Sequence, residues 1–171
     1  MEEQVIVVDA EDREIGRMEK MAAHQNGGTR HRAFSIFIFD SAGRCLLQRR
    51  AGSKYHFPGL WTNTCCSHPR PGEETAAAAH RRLQEELGFD CPLEERFQFE
   101  YRAESEEENL TEHELDHVFT GIYDGLLNPN PQEVEAICHL TPCALEEKLA
   151  EHPEEFTPWF KLAVQRVLAA V

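Results

Sequence analysis

Residues Ala33–Phe39 form the most restrictive stretch of this chain, an apolar, β-forming run carrying Phe34, Ile36, Phe37, Ile38 and Phe39. A strand without a polar face is buried on both sides, so the sheet that contains it needs covering on each face. Asp40-Ser41-Ala42-Gly43 reads as a hairpin turn and Arg44–Arg50 as the returning strand. With 171 residues the chain is long enough to build one such core, and a single domain over 1–171 is expected.

The other elements are placed by the same signals. Gln4–Val8 reads as a strand, Asp9–Asp12 as a turn, and Met18–His24 as a short helix before the loop Asn26-Gly27-Gly28. Gly52–Pro71, with Pro58-Gly59, Pro69 and Pro71-Gly72, reads as one long loop, and its aromatic content marks it as functional rather than disordered. The clearest helix starts near Glu74-Thr75, runs through an alanine block and stops at Gly88. Its Ala79, Leu83 and Leu87 share a face fit to pack on a sheet. Phe97–Arg102 alternates as a strand, Glu104–Glu108 is an acidic loop, Glu112–Tyr123 turns from polar to β-apolar, and Val134–Leu140 is a further strand. Thr141-Pro142 opens a helix, and Thr157-Pro158 opens the last one, with Phe160, Val164, Val167 and Leu168 at helical spacing. The expected class is α+β, a mixed sheet flanked by helices in an α/β/α arrangement.

Composition excludes several functions. A net charge of −14 repels nucleic-acid phosphates and makes the basic groups Arg49, Arg50, Lys54 and Arg81-Arg82 stand out as local anion traps. No apolar run is long enough to cross a bilayer, and Met1-Glu2-Glu3-Gln4 is acidic where a secretory leader would be basic. A cytoplasmic protein is expected, and its six cysteines are then expected reduced. Cys65 and Cys66 are adjacent and no C-x-x-C pair exists, which speaks against a Cys-only zinc site.

Two sets of residues carry chemistry. Glu112 and Glu114 lie two apart in an expected strand, so both carboxylates face one way and repel unless a cation or a proton holds them. With the imidazoles of His24, His31 and His68 they make a mixed N and O donor set for a divalent metal. His113 and His117 fall on the opposite face and are expected to be structural. The second set, Glu73, Arg81, Glu85 and Glu86, sits in S-x5-E-x7-R-R-L-x-E-E-x-G-F over Ser67–Phe89. This loop and helix (67–89) resembles the Nudix box, G-x5-E-x7-R-E-U-x-E-E-x-G-U with U aliphatic. It departs in having Ser67 for the first glycine and Arg82 for a glutamate. Exchanging that glutamate for a guanidinium speaks against pyrophosphate hydrolysis and for anion binding.

With both sets in view, the whole chain resembles the type I isopentenyl-diphosphate isomerases, a branch of the Nudix superfamily. Met18–His24, Thr29–Ser35, Gln48–Lys54, Pro58–Asn63, Cys66–Pro69, Glu112-His113-Glu114 and Thr157-Pro158-Trp159 follow in the order of that family. The resemblance implies a Nudix fold with an N-terminal extension carrying metal-ligand histidines. It implies conversion of isopentenyl to dimethylallyl diphosphate for isoprenoid biosynthesis, by protonation and deprotonation through a tertiary carbocation. His24, His31, His68, Glu112 and Glu114 would bind one divalent cation (Mg2+, Mn2+ or Zn2+). Lys20, Arg50, Lys54 and Arg82 would hold the diphosphate, with a second Mg2+ bridging it to Glu86. Cys66 and Glu114 would move the protons, Tyr101 assisting Glu114 and Trp159 covering the hydrocarbon. Cys65, lacking the spacing to His68, is expected to be buried packing. The expected partner is a small diphosphate, with no nucleic acid and no membrane, the protein being a monomer or homodimer. The competing reading is a Nudix pyrophosphohydrolase acting on a nucleoside or prenyl diphosphate.

Overall fold

A computed structural model describes residues 2–171. Its strands are β1 (Gln4–Val8), β2 (Glu14–Glu19), β3 (His31–Phe39), β4 (Cys45–Arg50), β5 (Trp61–Thr62), β6 (Cys65–Ser67), β7 (Glu94–Ser105), β8 (Leu110–Ile122) and β9 (Val134–Leu140). Between and after them lie the helices α1 (Lys20–Ala23), α2 (Thr75–Leu87), α3 (Pro142–Glu151) and α4 (Pro158–Ala170), with one 3-10 turn at Pro153–Glu155.

The apolar run is the centre of a mixed sheet. Along one edge β3 pairs in parallel with β8 over its whole length, from His31↔Glu114 to Phe39↔Ile122. Its other edge is shared end to end by β1 at His31, β6 at Phe34–Ile36 and β4 at Ile38–Phe39. β7 extends the sheet beyond β8, while β9 and β5 both pair with β4. Side chains of β3 alternate between two cores, as the period of two requires. Phe34, Ile36 and Ile38 pack with Ala78, Ala79, Leu83 and Leu87 of α2. Phe37 and Phe39 pack with Leu145 of α3 and with Phe160, Val164 and Val167 of α4. The result is the expected helix, sheet and helix layering.

Beyond shifts of one or two residues at the ends of β3, β4 and β8, some elements differ from the sequence reading. Met18 and Glu19 belong to the strand Glu14–Glu19 rather than to a helix, because β2 lies at the sheet edge with no buried side chain and owes its form to backbone pairing with β1. Only Lys20–Ala23 is helical, capped by the Glu19 carboxylate accepting from the Met21 and Ala22 N–H groups at 2.8 Å. Inside the long loop lie β5 and β6, too short to display an alternating pattern. β7 is also longer than Phe97–Arg102, with the acidic loop reduced to the turn that follows Ser105. Val134–Leu140, Thr141-Pro142, Thr157-Pro158 and the Gly88 stop (φ 73°) stand where the sequence puts them. No helix among the described residues is long and apolar enough to cross a membrane.

Candidate active site

The β3–β8 register sets up the site. Opposite His31 on β3 stands Glu114 on β8, with Glu112 one pleat further along the same face. His24 follows α1 as its C-cap, and His68 follows β6 as the chain leaves the sheet. His24, His31, His68 and Glu114 each direct one donor atom to a common point, all within 4.8 Å of one another and all four residues buried. Glu112 borders this group through Oε2, which lies 3.1 Å from His24 Nε2.

The hydrogen bonds of the imidazoles make this a cation site. His24 Nδ1 lies 2.7 Å from the Lys20 carbonyl and His31 Nδ1 lies 2.7 Å from the Thr29 carbonyl. A carbonyl accepts only from N–H, so in a neutral ring Nε2 carries the lone pair. The lone pair of His31 then points at His68 Nε2 (3.2 Å) and Glu114 Oε1 (3.3 Å), and that of His24 at Glu112. Converging lone pairs and carboxylate oxygens need positive charge among them, from protons or from a divalent metal. The donor chemistry fits such a metal.

Without a metal, the titration of the cluster follows the same need. Burial pulls His24 down, but hydrogen bonding and charge from Glu112 outweigh it and leave its pKa above the ordinary imidazole value. Burial would raise Glu112, yet the charge of His56 and the hydrogen bond from His24 hold it well below the carboxylate range. Glu114, pushed up by burial and by Glu112, is brought below its usual value by His31 and His68. Burial depresses His68 to about 4.

Beside the cluster is a cavity of about 90 Å³, and its walls bring together Cys66, Tyr101, Trp159 and four cations, while Glu86 does not line it. Strand alternation in β6 decides the fate of the two thiols. Cys65 goes into the core beneath α2 at 0% exposure, while Cys66 faces the cavity with its Sγ 3.6 Å from Arg50 Nη1. Burial pushes the Cys66 thiol up to about 12, against the pull of Arg50, so it is protonated at neutral pH. On β7, Tyr101 is opposite Glu114 and donates its hydroxyl to Oε2 at 2.6 Å. Burial, reinforced by the Glu114 charge, raises that phenol well above its normal pKa and keeps it a donor.

Trp159, at the start of α4, is buried and locked in orientation. Its indole N–H donates to Asn63 Oδ1 at 3.2 Å, and the Asn63 amide is itself anchored to the carbonyls of Ile36 and Cys65. The Arg50 guanidinium lies 5.3 Å from the indole ring centre. A register shift between β4 and β9 falls at Arg49/Arg50, where Arg50 turns inward and Arg49 stays exposed with Glu135.

Cations form the other wall. Lys20, Arg50, Lys54 and Arg82 all line the cavity, whereas Arg81 is engaged by Glu73 and Glu85. Glu86 is buried, accepting from Gln48 Nε2 at 2.8 Å and Arg82 Nη2 at 2.6 Å. His113 hydrogen-bonds to Glu100, and His117 lies between Asp12 and Glu95, neither lining the cavity.

Four residues at the site escape sequence reasoning. Glu133 pairs with Lys54 and, at 3.1 Å, with Arg82; Glu3 pairs with Lys20 at 3.0 Å. His56 lies 2.6 Å from Glu112 Oε1, and Asn63 holds Trp159. The only signal for the first two is the excess of basic residues in an acidic chain, each of which needs a counter-charge.

Comparison with known proteins is consistent with this geometry. Residues 29–160 match the NUDIX domain family. A protein of Aromatoleum aromaticum named isopentenyl-diphosphate Delta-isomerase 1 is 53% identical over 169 residues, spanning 99% of this chain and 94% of that protein. The isopentenyl-diphosphate Delta-isomerase of Serratia proteamaculans is 49% identical over 170 residues, spanning 99% and 93%. Among solved structures, a Deinococcus radiodurans protein superposes with a TM-score of 0.72 at 21% identity over 88% of this chain and 90% of its own. The MutT protein of Methanosarcina mazei gives 0.64 at 18% identity, over 80% and 91%. These two likenesses establish the fold.

Proposed function

The chain belongs to the Nudix family, among its isopentenyl-diphosphate Delta-isomerases, and on that premise we propose that it converts isopentenyl diphosphate to dimethylallyl diphosphate. The observation that carries the reading is the meeting of a buried histidine and carboxylate cluster with a cavity lined by the Cys66 thiol and four cations.

The reaction adds a proton to an unactivated alkene and removes another from the neighbouring carbon. That requires a strong acid shielded from water, two proton-carrying groups, and a cation shield that cannot itself attack. Cys66 and Glu114 are the proton carriers. Tyr101 holds Oε2 of Glu114 through its hydroxyl and so fixes the carboxylate in position. Trp159 offers an indole face to the tertiary carbocation, an attraction of roughly 0.5–2 kcal/mol, while its N–H is engaged by Asn63 and its ring has no nucleophilic lone pair free. Lys20, Arg50, Lys54 and Arg82 hold the diphosphate and keep the hydrocarbon end aimed between the proton carriers.

His24, His31, His68, Glu112 and Glu114 would hold one divalent cation, Mg2+, Mn2+ or Zn2+, and Glu86 a Mg2+ shared with the diphosphate. When bound, the first supplies the positive charge that strengthens a coordinated carboxyl as an acid. All 171 residues then act as one catalytic domain, in the cytoplasm, as a monomer or homodimer serving isoprenoid biosynthesis.

Arg82 weighs against the hydrolase reading. Its guanidinium occupies the box position where a hydrolase carries a metal-binding carboxylate, and it engages both Glu86 and Glu133. The test is incubation of purified protein with isopentenyl diphosphate and Mg2+. Dimethylallyl diphosphate is expected, and Cys66→Ala and Glu114→Gln are expected to abolish it. Full activity in either variant would refute its assigned role.

A further inference from the structure

His56 stands at a junction that neither the reaction nor the family resemblance assigns. It lies on the loop between β4 and β5, yet it is only 7% exposed. Its Nε2 is 2.6 Å from Oε1 of Glu112, whose Oε2 faces His24. Its carbonyl accepts from Arg50 Nη2 at 3.2 Å, and its ring packs 6.0 Å from Trp159 and 5.5 Å from His24. The next residue, Phe57, is held at φ +46°, a left-handed conformation that an aromatic residue adopts only when its surroundings impose it.

The proton positions follow from the neighbours. His56 Nε2 meets both Glu112 Oε1 at 2.6 Å and Arg50 Nη2 at 3.3 Å. Arginine only donates, so Nε2 cannot serve both partners in the same way. A 2.6 Å approach to a carboxylate oxygen requires hydrogen on Nε2, although the contact is not aligned as a hydrogen bond; Arg50 is satisfied by the His56 carbonyl, and Nδ1 is buried without a partner. Glu112 is 2% exposed and its Oε1 has no aligned hydrogen-bond donor among the described residues, so the close contact with His56 Nε2 is the polar interaction that this oxygen has.

We propose that His56 is a positioning residue of the divalent-cation centre: it holds one oxygen of Glu112 so that the other faces the histidine cluster, and it ties that carboxylate to Arg50 and Trp159. The inference rests on the metal-site reading given above. Outer partners of this kind fix a ligand's orientation and commonly contribute 10–100-fold to metal affinity.

The test is titration of the metal-stripped protein with Mn2+, reading free Mn2+ by electron paramagnetic resonance. His56→Ala is expected to weaken binding about 10–100-fold. His56→Gln, whose amide N–H reaches the position of Nε2, is expected to recover most of the loss. Wild-type affinity in His56→Ala overturns the inference. So does an equal loss in both variants, since loop packing rather than the N–H would then be the cause. His31→Ala separates the two levels of the account. If it leaves Mn2+ affinity unchanged, the metal-site reading itself fails and this inference falls with it. If it abolishes binding while His56→Ala does not weaken it, only the role of His56 falls.

Discussion

Replacing Tyr101 by Phe removes one oxygen from the centre of the site and leaves its shape intact. The Tyr101 ring is 6% exposed and packs 5.5 Å from Phe99 and 6.4 Å from Trp159, so a phenyl ring fills the same space. What is lost is the 2.6 Å hydrogen bond to Glu114 Oε2. A hydrogen bond to a charged group contributes about 1.5–3 kcal/mol. If it acts on the proton-transfer step, that energy reappears in the barrier, and at about 1.4 kcal/mol per tenfold in rate kcat falls roughly 10–150-fold. The diphosphate cations are untouched, so KM should stay within about twofold, the mark of an interaction made in the transition state rather than in binding. Stopped assays of isomer formation give kcat and KM, and Mn2+ titration checks that Glu114 still serves the cluster through Oε1. A kcat within about twofold of wild type would refute a role for the hydroxyl in holding the proton carrier. A higher KM at unchanged kcat would move that role to substrate binding.

Other consequences are more local. A Cβ at Gly121 would meet the Pro92 carbonyl at 2.7 Å, Ile38 Cδ1 at 3.0 Å and Cys91 Sγ at 3.1 Å. Gly121→Ala should therefore destabilise the protein by about 1–3 kcal/mol, read as a lower Tm with activity retained below it. Glu133→Gln relieves Lys54 and Arg82 of the carboxylate with which a diphosphate competes, and KM should fall about 2–5-fold at low salt, on an ion-pair contribution of about 0.5–1 kcal/mol; an unchanged KM would mean that substrate does not displace Glu133. The Glu73 carboxylate is held below its usual pKa chiefly by its hydrogen bonds from Arg81. A lowered folded-state pKa gives stability that is present above the unfolded value near 4.5 and is lost as pH falls through the folded value. Glu73→Gln should accordingly lower Tm at pH 7, and the difference should shrink as pH falls below 4.5.

Much of this architecture is written in local patterns, and what is missing from the sequence is missing for physical reasons. The run Ala33–Phe39 announces a strand buried on both faces because its neighbours all supply apolar cover. α2 and α4 announce themselves by caps and spacing. β2 does not, because an edge strand with exposed side chains is made by its partner's backbone. β5 and β6 are two and three residues long, less than one repeat of a recognisable pattern. The candidate site divides in the same way. Glu112 and Glu114 are legible as a pair because strand periodicity fixes their common face, and family spacing brings in His24, His31 and His68. His56 and Glu133 are not legible, since each lies outside regular structure and acquires its place only from long-range packing, against Glu112 in one case and against Lys54 and Arg82 in the other.

The central claim is that this cavity moves protons on a five-carbon diphosphate and leaves the diphosphate whole. Incubating the Mg2+-loaded protein with isopentenyl diphosphate in D2O, followed by proton and phosphorus nuclear magnetic resonance, tests it directly. The account predicts dimethylallyl diphosphate carrying solvent deuterium in a methyl group, with the two phosphorus signals still coupled. Release of inorganic phosphate or pyrophosphate without isomer would contradict it.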